Sequence, residues 1–160
     1  MSKPRDELAQ ALTLEDETER KLAVVSLIDT QVQRIEWRAI VIGGLAVEFW
    51  THGAYSTTDI DLYLPHGPAV ERPARRARLP QGGRHWVLPE HDLFVEAPAS
   101  FPAEEEEVVE VELRGGRSVP VLSAEDVVVD RLHQFVAGAT RTWLSKAWRC
   151  SESTSSTTRG

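Results

Sequence analysis

In the run Asp59-Ile60-Asp61-Leu62-Tyr63-Leu64, acidic or polar side chains alternate strictly with apolar ones until Pro65 closes the run. Period-two alternation marks a strand, because successive side chains leave opposite faces of the backbone. Asp59 and Asp61 therefore share one face, while Ile60, Leu62 and Leu64 share the other. A strand with two such unlike faces needs a sheet around it and a core on its apolar side.

The rest of the chain supplies both. From Leu14 to about Ile35, the residues Leu22, Val25, Leu27, Ile28, Val32 and Ile35 recur at three- and four-residue spacing, which predicts an amphipathic core helix. Trp37 to Ile42 is a short β-branched run ending at Gly43-Gly44, and Leu45 to about His52 then reads as a helix stopped by Gly53. Further strands are expected over His85–Leu88, Leu93–Ala97, Val108–Leu113 and Ser118–Leu122, the last two flanking Arg114-Gly115-Gly116-Arg117, a turn sequence suited to a hairpin. Ser123, three residues before Asp126, opens an apolar-periodic run through Val127, Val128, Leu132, Phe135 and Val136 that predicts a capped helix. The fold class expected is α/β, a mixed sheet of about six strands with helices packed against it.

Two segments resist that pattern. Pro68, Pro73 and Pro80 interrupt an arginine-rich stretch between His66 and Gly83, which predicts a partly helical insert. Residues 150–160 are rich in serine and threonine with nothing apolar to bury, so one domain over 1–149 and a disordered tail over 150–160 are expected. At 160 residues the chain suffices for one core. A lone cysteine, Cys150, gives no internal disulfide. No apolar run approaches the roughly 20 residues of a membrane helix, which points away from a membrane and to the cytoplasm.

The formal charge of -7 argues against broad adhesion to nucleic acid. Arg72, Arg75, Arg76 and Arg78 form the one compact basic cluster, and Glu104 to Glu107 read as a solvated loop. No CxxC pattern, GxGxxG loop or P-loop is present.

The chemistry then falls to the acidic strand. Two carboxylates on one face repel each other and favour a proton on one of them, unless a divalent cation offsets the repulsion. Magnesium takes one or two carboxylates and fills its shell with water or phosphate oxygens, a vacancy that suits a nucleoside triphosphate. Gly43-Gly44, between a strand and a helix, lets backbone N–H groups approach an anion closely. The bland alternative for Asp59 and Asp61 is a pair of solvated carboxylates on an exposed strand.

Val41-Ile42-Gly43-Gly44 followed by Thr58-Asp59-Ile60-Asp61-Leu62 resembles the glycine-pair and DxD signature of the nucleotidyltransferase (polymerase-beta-like) superfamily, with its small bacterial AbiEii-type and MNT-type branch the best match. The likeness extends over about Trp37 to Gly138. Gly44 stands where the superfamily often has serine. The resemblance implies a nucleotidyltransferase fold. It also implies a third carboxylate on a later strand, for which Glu96 in Leu93-Phe94-Val95-Glu96 is the candidate and Asp92 the substitute, and a helix packed behind the site.

Carried over residue by residue, Asp59, Asp61 and Glu96 become the catalytic and metal-binding set for one or two magnesium ions, and Gly43 and Gly44 the nucleotide seat. The implied reaction moves a nucleoside monophosphate from a triphosphate to a macromolecular acceptor, tRNA or a partner protein, in a toxin-antitoxin-like setting with a cognate toxin or antitoxin. Arg84 or one of Arg72 to Arg78 is available to neutralise the triphosphate. The alternative is a catalytically degenerate module of the same fold that acts through protein contacts.

Overall fold

The computed structural model of the chain describes residues 4–65, 81–82, 85–88, 93–99 and 101–138. Two compact units divide it, Met1–Val127 and Val128–Gly160. In chain order the first holds helices α1 (Pro4–Ala11) and α2 (Glu17–Val32), a 3-10 turn (Gln33–Ile35), strand β1 (Ile40–Ile42), helix α3 (Gly43–Trp50) and strand β2 (Asp59–Tyr63). Strands β3 (Gln81–Gly82), β4 (His85–Leu88), β5 (Leu93–Ala99), β6 (Val108–Glu112) and β7 (Ser118–Leu122) follow. Helix α4, residues 124–138, opens in the first unit, and its residues from 128 onward belong to the second.

The protein is thus mixed α/β, with one sheet in the order β3-β4-β5-β2-β1-β7-β6. Seven strands compose it, one of them only two residues long, where about six were expected. β2 sits near the middle, antiparallel to β1 and parallel to β5, so each flanking strand can bring a residue alongside Asp61. The apolar sides of these strands, Val41, Ile60, Leu62, Val95, Val119 and Val121, join Leu22, Val24, Val25 and Val32 of α2 in one core. Burying each such side chain stabilises by about 1.5–3 kcal/mol relative to exposure.

Helix α2 departs from the simple amphipathic reading. Leu22, Val25 and Val32 are buried as expected, while Leu27, Ile28 and Ile35 only flank the core. The buried face also carries Lys21, Ser26 and Asp29. The reason lies in their partners. Lys21 Nζ donates to both oxygens of Glu48 on α3 at 3.0 and 2.8 Å. Asp29 accepts from Arg38 Nε at 3.1 Å and from the Ala39 N–H at 2.7 Å, and Arg38 Nη1 continues to Glu110 on β6 at 2.6 Å. One buried charge ties α2 to α3, and the other ties it to the start of β1.

Other boundaries shift for local reasons. Asp16 caps α2 by accepting from the Glu19 N–H at 2.7 Å, so the helix starts at Glu17 rather than Leu14. The glycine pair lies inside the first turn of α3 instead of preceding the helix. The expected insert over 66–80 and Gly83, together with Arg72, Arg75, Arg76, Arg78 and Arg84, lies outside the described residues, as do Asp92 and the tail 150–160. Ser123 caps α4 as expected, accepting from the Asp126 N–H at 3.1 Å. Val128, Val129, Leu132, Phe135 and Val136 are nevertheless exposed rather than part of a core.

Removing one member of a buried ion pair strands the other. Glu48→Gln is therefore expected to lower the unfolding free energy by about 3–5 kcal/mol in urea titration, and Lys21→Met with Glu48→Leu together to cost less than the single change. Burial pushes the Glu48 carboxyl up, but hydrogen bonds from Lys21, Thr18 and Thr57 outweigh it and hold it below the ordinary range. Glu110 is held down in the same sense by Arg38. Depressed carboxyls contribute stability that is complete above the unfolded value of about 4.3 and lost as pH falls through the folded value. Urea midpoints should hold steady from pH 7 to about 5 and decline below that, less steeply in the doubly substituted protein.

Candidate functional site

Three elements converge on Asp61. β1 ends at Ile42, which lies opposite Asp61 in the antiparallel register. The chain then enters α3 at once, with Gly43 at φ +60. This left-handed backbone is costly for any residue with a Cβ. A Cβ at Gly43 would also collide with the Asp61 carboxyl oxygen. Glycine is thus required twice at one position. The Gly44 N–H points at Asp61 Oδ2 across 3.4 Å, a long hydrogen bond at the start of the helix, where negative charge is favoured.

On the other side of β2, the parallel register pairs Asp61 with Glu96 and Asp59 with Phe94. Residues in register on adjacent strands point to the same face, and neighbouring strands lie about 4.7–4.9 Å apart. Burial follows suit: Ile60, Leu62 and Val95 are buried, while Asp59 and Phe94 are exposed and Asp61 and Glu96 half-buried. Just past the acid pair the ladder slips, since Tyr63 meets Ala99 rather than the residue two beyond Glu96. β5 carries one extra residue there, next to Pro98, which cannot donate to a ladder and is suited to such a bulge.

The structure thus places all five sequence-designated residues, Gly43, Gly44, Asp59, Asp61 and Glu96, around one end of β2. Asp61 and Glu96 are the adjacent pair, and Asp59 lies one step along the same face. Among the described residues no three His, Cys, Asp or Glu side chains close into a metal-holding group. The donor set is oxygen only. An Asp61 carboxylate seated on the Gly43 backbone with Glu96 beside it suits magnesium, which needs few protein ligands.

Three participants escape the acid–glycine pattern. Glu48 is the one charged residue of the apolar helix Gly43–Trp50, a signal legible in the sequence but not interpretable without its partners. Besides Lys21 it accepts from Thr18 Oγ1 at 2.7 Å and from the Thr57 N–H at 2.9 Å. Thr57 in turn accepts the Asp59 N–H on its hydroxyl at 3.2 Å. Glu106, in the run expected to be a solvated loop, accepts from the Tyr63 hydroxyl at 3.0 Å and from the Ala103 N–H at 2.6 Å, so the loop after β5 is tied to the acid-bearing face of β2.

Gly43→Ala is expected to cost about 1–2 kcal/mol for the left-handed backbone alone, plus the displacement of Asp61. Gly116→Ala, at φ +78 with nothing within 4 Å of the added carbon, measures the backbone cost by itself. Urea unfolding should find Gly43→Ala the more damaging of the two, and equal costs would mean that Asp61 does not rest on Gly43. Compared with known proteins, the chain matches no family model, no curated protein and no solved structure.

Proposed function

We propose that this chain is a magnesium-dependent nucleotidyltransferase of the polymerase-beta-like kind, transferring a nucleoside monophosphate from a triphosphate to a macromolecular acceptor. The observation that carries the reading is the seating of the Asp61 carboxylate on the Gly43-Gly44 backbone with Glu96 in register beside it. A strand-to-helix glycine turn and a strand bearing two acids are common separately. Their meeting at one atom is what favours the proposal.

Asp61 and Glu96 would hold the metal, with Asp59 one step along the same face swinging in as a further carboxylate, and the ion when bound would neutralise the triphosphate's charge. An anionic ligand would approach the first turn of α3 beside the Gly44 N–H, which Asp61 itself takes. An acceptor hydroxyl would attack the α-phosphorus and give its proton to the Glu96 carboxylate. The bond from that phosphorus to the bridging oxygen breaks, and pyrophosphate leaves. A large acceptor, tRNA or protein, would itself exclude water from the acid-bearing face. A toxin-antitoxin-like setting with a cognate partner belongs to the same proposal. Among the described residues no helix is long and apolar enough to cross a membrane.

A second reading, a non-catalytic module of this fold acting through protein contacts, draws on the exposed Val128, Val129, Leu132, Phe135 and Val136 of α4. Calorimetric titration of each common nucleoside triphosphate, with and without magnesium, separates the two. Magnesium-dependent binding that disappears in Asp59→Ala with Asp61→Ala, accompanied by transfer of labelled nucleotide, is expected. No binding by a folded wild-type protein would favour the module.

A further inference from the structure

In the α3–β2 loop Thr57 makes three distinct contacts around the acidic strand, next to Thr58, whose hydroxyl donates to Asp59 Oδ1 at 3.4 Å. The Thr57 N–H donates to Glu48 Oε2 at 2.9 Å, and its hydroxyl accepts the Asp59 N–H at 3.2 Å. Its side chain also fills the space above Gly44: a Cβ there would meet Thr57 Oγ1 at 3.0 Å and its Cβ and Cγ2 at 3.1 Å. Behind Thr57, Glu48 is fully committed, taking both Lys21 contacts and the Thr18 hydroxyl in a site from which both charged side chains are almost wholly excluded from water. Such an anchor cannot shift without stranding a buried charge. Its rigidity therefore passes to the Thr57 backbone, and from the Thr57 side chain to both the Asp59 amide and the Gly44 turn.

We propose that Thr57 is a positioning residue for the acidic site, clamped from behind by the Lys21–Glu48 pair and setting Asp59 and Gly44 relative to each other. The inference rests on the metal-site reading above. A Cβ at position 44 would press on the Thr57 side chain, which would have to give by a few tenths of an ångström, so glycine there leaves Thr57 undisturbed. Thr57 touches no reacting group; it acts through the residues that do.

The test uses the full chain and Mn2+ alone as the probe, with affinity read by water-proton relaxation. Thr57→Val keeps the bulk against Gly44 and the N–H to Glu48 but removes the acceptor for Asp59; Thr57→Ser keeps that acceptor. Losing a contact that orients a ligand typically costs about 10–100-fold in metal affinity. Thr57→Val should weaken Mn2+ binding by at least about tenfold and speed exchange of the Asp59 amide, with the melting temperature little changed, and Thr57→Ser should restore both. A merely structural threonine would move the melting temperature and leave the affinity of the folded protein alone. Thr57→Val binding Mn2+ like the wild type would overturn the inference while leaving the site reading intact. A wild type that binds no Mn2+ would overturn the site reading and the positioning role with it.

Discussion

Lys21 and Glu48 hold each other with almost no exposed surface, where the first turns of α2 meet the last turn of α3. Placing two charges there costs several kcal/mol of desolvation per ion, recovered only if nearly every hydrogen-bonding position is used. The Glu48 carboxylate meets that condition with bonds from Lys21, Thr18 and Thr57. An apolar pair would pack at least as well but would leave the Thr57 amide without this acceptor. The ionic solution fixes a loop as well as a helix crossing. Asp29 does the equivalent at the other end of α2, accepting from Arg38 and the Ala39 amide and so fixing where β1 begins. Between these two anchors the path from β1 through α3 to β2 has little freedom.

That constraint explains why the acidic face stands where it does. Because β1 and β2 are antiparallel and α3 links them, the end of β1 must lie beside the beginning of β2, and the Gly43 turn falls against Asp61. The parallel pairing with β5 adds Glu96 on the far side, and the slip beside Pro98 ends the regular ladder just beyond it. Topology alone therefore gathers residues from three separate stretches of chain.

The acidic strand and the glycine turn were legible because each depends on a local rule, period-two alternation and the backbone freedom of glycine; Glu96 was named only through the resemblance, and no local rule predicts the parallel register that sets it beside Asp61. The buried charges of α2 were not legible, because Lys21 and Asp29 share the apolar face with Leu22, Val25 and Val32 by spacing while residue type alone assigns a charge to solvent. Only knowledge of Glu48 and Arg38, 27 and 9 residues away in sequence, reverses that assignment. Glu104 to Glu107 do form an exposed loop, and only Glu106 stands apart from it, since an acid in a run of four looks interchangeable with its neighbours until Tyr63 is placed 43 residues upstream. For α4 the periodicity correctly gave a helix but not its surroundings: Val128, Leu132 and Phe135 recur with the right spacing and remain exposed. Spacing reports which residues share a face, not whether anything covers it.

The composition of the open face bears on function independently of any resemblance. Side-by-side residues on neighbouring strands stabilise a sheet when they are β-branched, aromatic or oppositely charged, and like charges there work against it. The buried face of the same strands follows that rule, with Ile60 beside Val95 and Val41 beside Leu62. The open face breaks it within the same registers, placing Asp61 beside Glu96 and seating the Asp61 carboxylate on a left-handed glycine. A like-signed pair and an unusual backbone thus fall on the same few atoms. The same strands carry an apolar packing face and an acidic face, and the left-handed glycine, a conformation that persists only where its surroundings fix it, falls on the acidic one.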